Sequence, residues 1–224
     1  MKKVKVIIWG LGVMGGGMAD MILHKEGIEI VGVVGRGAKL GTSMYDYIKT
    51  ERGDREDILI GTYEDVIKPG AADIVLLCTD SFTAGAFDKL CYIMNQGINV
   101  ITSAEEMAYP QAQQPELAAK LDECAKKNGV SCLGTGVNPG HIMDLLVLVM
   151  TGVLTDVKEI TSRRVNSLSP FGRLVMEEQG IGISVEEFYD RKAKGTMSGH
   201  VGFEESVAMI AAGMGLEVAE FSPD

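Results

Sequence analysis

Val4-Lys5-Val6-Ile7-Ile8-Trp9-Gly10-Leu11-Gly12-Val13-Met14-Gly15 decides the fold. A short, almost wholly apolar run is followed at once by three glycines in G-x-G-x-x-G spacing, and then by a helix-period segment from Val13 to Lys25. The glycine pattern alone is common. In this place, after a strand and opening a helix, it is the fingerprint of a dinucleotide-binding βαβ unit. Gly10 permits the tight turn, Gly12 lets the backbone approach a pyrophosphate, and Gly15 lets helix and strand pack closely, with the helix N-terminus facing the negative charge. The alternative is a glycine turn in a non-binding α/β protein.

Outward from that stretch the rhythm continues. Ile28 to Val34 is an apolar run rich in β-branched residues, and Ile58 to Ile60 a short strand. Thr62 can cap a short helix ending near Pro69-Gly70. Asp73 to Cys78 and Asn99 to Thr102 read as strands, with a helix from Ala84 to Asn95 between them. A helix from Pro115 to Lys127 and a strand from Val130 to Leu133 follow. Apolar strands alternating with helices predict an α/β protein with a doubly wound parallel sheet of Rossmann type.

At Gly134-Thr135-Gly136-Val137-Asn138-Pro139-Gly140 the rhythm changes. Asn138 is a suitable N-cap and Pro139 a suitable first residue for a long apolar helix to about Met150. Val157 to Val165 alternates in polarity and reads as a half-exposed strand. Ser184-Val185-Glu186-Glu187 is a capping box opening a charged helix toward Lys194, Phe203 to Met214 is another helix, and a strand is expected to start at Glu217 to Asp224. The expected division is a dinucleotide-binding domain over 1–135 and an α+β substrate and dimerisation domain over 136–224. With so few strands to cover its helices, the second domain reads as truncated.

Composition narrows the function. The chain has 224 residues, 46% hydrophobic and 23% charged, which is globular rather than disordered. Its 21 basic and 31 acidic side chains give a net charge of -10, the wrong sign for phosphate-backbone binding, so no nucleic-acid partner is expected. No apolar run approaches the ~20 residues of a membrane span, and the N-terminus lacks a signal-peptide pattern. Cys78, Cys91, Cys124 and Cys132 show neither C-x-x-C spacing nor a Cys/His cluster, so no metal site is expected, and reduced thiols fit a cytoplasmic protein.

The second strand ends in Val34-Gly35-Arg36-Gly37, without the acidic residue that would bond a ribose 2′-hydroxyl. Arg36, with Lys39 nearby, can pair with a 2′-phosphate, which favours NADP with NAD also accepted; the alternative is a solvated loop arginine. Cys78-Thr79-Asp80-Ser81 closes the fourth strand, where ligands of such sheets bind, although Asp80 can equally be a helix cap. The expected cofactor-facing positions are Gly10, Leu11, Gly12, Val13, Met14, Gly15, Arg36, Cys78, Thr79, Asp80, Ser103, Asn138 and Pro139. Glu105 and Glu106 follow the fifth strand: one can face the crevice as a proton acceptor, or both can charge a helix N-terminus. In the second domain Arg163 or Arg164 can point over the cleft and hold a carboxylate, or both can lie on a solvated face. Asn166 and His200 are further candidates for contact with substrate.

Three stretches carry a family resemblance: Gly10 to Gly15, Gly37-Ala38-Lys39-Leu40-Gly41, and Gly134 to Gly140. Together they resemble the dihydrodipicolinate reductase superfamily. Arg163-Arg164-Val165-Asn166 and Gly199-His200-Val201-Gly202-Phe203-Glu204-Glu205-Ser206 look like segments of its 2,4-diaminopentanoate dehydrogenase and native amine dehydrogenase branch. The resemblance implies NAD(P)-dependent oxidative deamination of 2,4-diaminopentanoate at its C4 amine, giving 2-amino-4-oxopentanoate in ornithine degradation. It also implies Glu105 as the catalytic carboxylate, with Glu106 the adjacent possibility, and a homodimer. Members of the branch are longer, so it further implies a missing C-terminal portion. The histidine-rich signature of dihydrodipicolinate reductases themselves is absent. A homoserine or aspartate dehydrogenase-like enzyme is the alternative within the fold, although homoserine dehydrogenases carry a lysine near the place of Glu105. An NAD(P)-sensing binding protein without turnover is the alternative outside enzymes.

Overall fold

Alternation in the first strand buries both of its faces. A computed structural model describes residues 2–165, 167, 176–177, 179–197 and 201–222. In β1 (Val4–Trp9), Val6 and Ile8 point to one side of the sheet and Ile7 and Trp9 to the other. The first pair packs with Ala19 and Ile22 of α1 (Val13–Leu23) and with Ile30 and Val33 of β2 (Ile28–Val34). The second pair packs with Ala86, Leu90, Ile93 and Met94 of α3 (Thr83–Asn95) and Leu121 of α4 (Pro115–Asn128). Each helix therefore covers the face toward which its apolar stripe turns.

The remaining strands are β3 (Ile60–Gly61), β4 (Ile74–Leu77), β5 (Asn99–Thr102) and β6 (Cys132–Gly134), with the short α2 (Tyr63–Val66) between β3 and β4. All pair in parallel as one 6-stranded sheet in the order β3-β2-β1-β4-β5-β6. This is the doubly wound order, in which the chain winds outward in both directions from the β1/β4 gap. The expected Rossmann-type sheet is present.

The expected caps at Thr62 and Ser184 also form: Thr62 accepts from the Asp65 N–H at 3.3 Å and Ser184 from the Glu187 N–H at 3.1 Å. Ser184 opens α6 (Val185–Ala193). Pro115 begins α4, and Gly129, with φ 64°, ends it in the left-handed conformation. The last helix is α7 (Phe203–Gly213).

Four expectations need correction. The third strand is Ile60–Gly61 rather than Ile58 to Ile60; Met44 N–H donates to the Ile58 carbonyl at 2.8 Å and Ile60 N–H to the Thr42 carbonyl at 2.9 Å, so a loop holds this edge before β2 does. Asn138 does not cap a helix, nor does Pro139 begin one. The chain passes through turns, and α5 (Leu145–Thr151) starts only at Asp144, whose Oδ1 accepts the Leu145 N–H at 2.6 Å. A buried carboxylate offers that helix end a charged acceptor, which outcompetes a neutral asparagine. Val157 to Val165 is irregular, and so is the described part of 217–224. Alternation produces a strand only where a neighbour completes the ladder, and no described segment pairs with either stretch. Among the described residues after Gly134 the regular structure is helical.

Candidate functional site

Register brings the functional residues to one level. Trp9 pairs with Val34 on one side and Leu77 on the other; Leu77 pairs with Thr102, and Thr102 with Gly134. The next residues of these strands carry the pattern on. Gly10 N–H donates to the Val34 carbonyl at 3.0 Å, Cys78 N–H to Trp9 at 2.8 Å, Ser103 N–H to Leu77 at 3.1 Å and Thr135 N–H to Thr102 at 3.1 Å. Gly10, Cys78, Ser103 and Thr135 thus stand side by side along the carboxyl edge, about 4.8 Å apart per strand. The crevice of a doubly wound sheet lies at this edge, where the winding reverses.

The fingerprint glycines divide the labour as their spacing predicts. Gly10 has φ 99°, and a Cβ there would lie 2.6 Å from Thr79 Cγ2. A Cβ on Gly15 would lie 2.0 Å from the Gly10 carbonyl oxygen, so helix and turn touch through it. A Cβ on Gly12 would meet nothing within 4 Å. Gly12 is therefore required by nothing inside the protein, and its bare backbone faces open space at the start of α1. The first helical N–H groups there have no intrahelical partner, and no acidic residue occupies the first turn. This open cradle fits a pyrophosphate. Leu11 is buried beneath it, while Val13 and Met14 are exposed on its rim.

At the end of β2 the two cations take different positions. Lys39 turns inward: its Nζ donates to the Leu11 carbonyl at 2.7 Å and lies 4.3 Å above the Tyr47 ring. Arg36 is exposed, two residues past the end of β2. At the end of β4, Asp80 is no helix cap, since Phe82 holds that position; its carboxylate receives the Thr79 hydroxyl and pairs with Lys89 Nζ at 2.6 Å. Burial pushes the Cys78 thiol up to about 11, with a Ser103 hydrogen bond working against the shift.

The paired carboxylates after β5 separate. Both lie in a 3-10 turn, Glu105–Ala108, which packs so closely on β6 that a Cβ on Gly134 would fall 1.9 Å from the Met107 carbonyl oxygen. Glu106 is only 4% exposed; its Oε2 accepts the Thr83 N–H at 2.5 Å, and its own N–H donates to the Ser81 carbonyl at 3.1 Å. It anchors the N-terminus of α3. Glu105 is half-buried and stands two residues past Ser103, on the same strand edge as the glycine turn.

The Gly134–Gly140 loop closes the far side. Asn138 is half-buried, and Pro139 is buried with its ring against Gly202, where a Cβ would lie 2.4 Å from Pro139 Cγ. Asn138, Met143, Ile160, Phe203, Ser206 and Ile210 line a cavity of about 360 Å³ beside the loop. Arg163 is exposed on the irregular segment, whereas Asn166 and His200 lie outside the described residues. Among the described residues, no cluster of His, Cys, Asp or Glu can hold a metal, and no helix is long and apolar enough to cross a membrane.

Two buried acids escape a reading by motif. Asp144 is 0% exposed, and the signal for it was an aspartate immediately before the Leu145–Val149 apolar run. Glu205 is also 0% exposed; its Oε1 accepts from Gln113 Nε2 at 2.7 Å, and its Oε2 has no partner. Burial raises its pKa, and the negative charges of Glu106 and Glu204 raise it further, against the Gln113 bond. An acid in a helix's first turn normally faces water, so no pattern in the sequence marks Glu205.

Residues 141–223 match the family model of the 2,4-diaminopentanoate dehydrogenase C-terminal domain. Over 219 residues, 98% of the chain, the sequence is 67% identical to a 2,4-diaminopentanoate dehydrogenase of Acetoanaerobium sticklandii, of which it spans 62%. A glyceraldehyde-3-phosphate dehydrogenase of Archaeoglobus fulgidus is 34% identical over 150 residues, 61% of this chain and 43% of that protein. The solved structure of an amine dehydrogenase from Mycobacterium smegmatis superposes with a TM-score of 0.76 at 25% identity, over 97% of this chain and 63% of that one. The resemblance carried by the motifs therefore holds: the chain is similar to members of the 2,4-diaminopentanoate dehydrogenase and amine dehydrogenase branch, and it spans less than two thirds of the length of these relatives.

Proposed function

We propose that the chain performs NAD(P)-linked oxidative deamination of a diamino acid, with 2,4-diaminopentanoate as substrate and its C4 amine as the reacting group. The observation that carries this reading is the shared level of Trp9, Leu77 and Thr102, which sets the open Gly12 cradle and Glu105 along one strand edge. The high identity to a named 2,4-diaminopentanoate dehydrogenase supports the substrate.

Gly10, Gly12 and the first N–H groups of α1 hold the pyrophosphate, and Arg36 receives a 2′-phosphate when NADP is bound. The nicotinamide, when bound, supplies the hydride acceptor. Glu105 takes one proton, either from the substrate ammonium or from the water that attacks the imine carbon, and returns it to solvent before the next turnover. Glu106 takes no part in proton transfer, because its carboxylate is committed to Thr83 N–H. Ser103, Asn138 and Cys78 wall the crevice, and Arg163 reaches the substrate carboxylate. Residues 1–135 form the cofactor unit and residues 136–224 the substrate unit. A homodimer is supported by the apolar surface that α5 and its exit leave exposed at Leu145, Val149, Met150 and Val153. Four free thiols fit a cytoplasmic location.

Fluorescence titration with NADPH and NADH, followed by cofactor reduction driven by 2,4-diaminopentanoate, tests the reading. Glu105→Gln keeps the cofactor Kd and lowers turnover by about 100-fold or more. Cofactor binding with no amine-dependent reduction would favour a nicotinamide sensor instead, and unchanged turnover in Glu105→Gln would remove that residue's role.

A further inference from the structure

One buried oxygen joins the cofactor side of the crevice to its substrate side. Asp144 Oδ2 accepts the Gly140 N–H at 2.7 Å and the Ser206 hydroxyl at 2.9 Å. Gly140 closes the loop that follows β6, and Ser206 lies in the first turn of α7. The remaining oxygen, Oδ1, starts α5 by accepting Leu145 N–H at 2.6 Å. Asp144 is 0% exposed and Ser206 6%. Two close approaches press the same elements together: a Cβ on Gly140 would fall 2.5 Å from Gly136 N, and Pro139 sits against Gly202 at the start of α7. A helix start alone needs no buried carboxylate, because a serine or an exposed aspartate serves. Burying one is costly unless it has several donors, and here the donors come from three different elements.

We propose that Asp144 is a positioning residue: by sharing Oδ2 between Gly140 and Ser206 it fixes the spacing between the Gly134–Gly140 loop and α7, and so the width of the space that receives the amine. The proposal rests on the dehydrogenase reading for the identity of that ligand. Ser206 and Asn138, one on each side of the latch, both line the 360 Å³ cavity. Loosening the latch widens that space without touching the glycine turn, so it weakens the hold on the amine and leaves the cofactor alone.

The test is made on the cofactor-loaded protein. Ser206→Ala removes the α7 donor and keeps both backbone bonds. It raises the amine KM about tenfold, with kcat and the NADPH Kd unchanged within about threefold. Ser206→Thr restores the hydroxyl, its extra methyl having the cavity to enter, and returns KM to the original value. Asp144→Asn must turn its NH2 toward a backbone donor in either orientation: toward Gly140 it opens the latch, raising KM and speeding Gly140 amide exchange, whereas toward Leu145 it keeps the latch and speeds only Leu145 exchange. Where Gly140 exchange is the faster one, adding Ser206→Ala raises KM no further.

A general loss of folded protein lowers apparent kcat and leaves KM in place, so the split separates positioning from mere stability. A wild-type KM in Ser206→Ala would overturn the latch, and so would effects of the two substitutions that multiply when Asp144→Asn speeds Gly140 exchange. If Asp144→Asn does not fold, the Ser206→Ala and Ser206→Thr pair still decides. A wild-type chain that leaves NADPH fluorescence unchanged refutes the dehydrogenase reading instead; Gly140 amide exchange in Ser206→Ala then decides the latch alone, faster exchange supporting it and unchanged exchange overturning it.

Discussion

Gly12→Ala separates what the glycine turn does for the fold from what it does for a ligand. In the protein, Gly12 has φ −93° and ψ −157°, ordinary extended backbone, and an added Cβ would meet nothing within 4 Å. Alanine stiffens the unfolded chain, which contributes about 0.4–1 kcal/mol of stability, and gives back a similar amount as a poorer N-cap. The expected change in stability is therefore within about 1 kcal/mol. Binding responds differently. The new methyl stands where a pyrophosphate oxygen must approach the α1 N-terminus, and losing two charge-assisted bonds at about 1.5 kcal/mol each gives ~3 kcal/mol, more than 100-fold in Kd. Gly15→Ala is the control: its Cβ would lie 2.0 Å from the Gly10 carbonyl oxygen, backbone against backbone, so it damages fold and binding together. NADPH fluorescence titration gives Kd, and thermal unfolding of the same samples gives stability. A Gly12→Ala protein with Kd within about threefold of the original would show that no phosphate approaches this turn. One that melts as early as Gly15→Ala would show that the position is not open.

Arg36→Ala weakens NADP binding about tenfold and leaves NAD binding unchanged, because only the 2′-phosphate offers that guanidinium a charged partner; equal losses in paired titrations refute the assignment. Glu205→Gln tests the buried acid. Its folded pKa is raised above 4.5, so between 4.5 and the raised value the native state holds a proton that the unfolded state has released, and stability falls as pH rises through that window. The melting temperature of Glu205→Gln minus that of the original protein should therefore grow with pH above 4.5, and a difference flat in pH would refute the buried protonated acid.

The legible part of this protein is the part whose physics is local. The run from Val4 to Gly15 fixes strand, turn and helix within a dozen positions, and β1, β2 and α1 lie where their periodicity puts them. Later boundaries slip where tertiary partners decide. Ile58 and Leu59 have the composition of a strand, but the Thr42–Met44 loop takes their hydrogen bonds. Asn138-Pro139 has the composition of a helix start, yet Asp144, buried among donors from three elements, takes that part. The glycine turn was visible because close backbone approaches demand missing side chains, which leave a pattern. The burial of Asp144 and Glu205 was not, because a buried carboxylate is defined by what folds around it: Ser206 lies 62 positions from Asp144 and Gln113 lies 92 from Glu205.

The division between Glu105 and Glu106 shows how the fold makes one carboxylate available by consuming its neighbour. Side by side in sequence, the two have the same chemistry. The 3-10 turn sends Glu106 under the start of α3, where the Thr83 N–H, unpaired within its own helix, takes its charge. A second bond, from the Glu106 N–H to the Ser81 carbonyl, ties the turn after β5 to the loop after β4, while Gly134, bare of a side chain, lets the same turn press onto β6. Held on both flanks, the turn leaves Glu105 half-buried just past the strand edge that carries the glycine turn. A proton acceptor needs that combination of fixed position and partial access to water. Exchanging the order of roles would require Glu105 to reach α3 from the wrong side of the turn, so the structural acid and the open acid are not interchangeable, although composition alone cannot tell them apart.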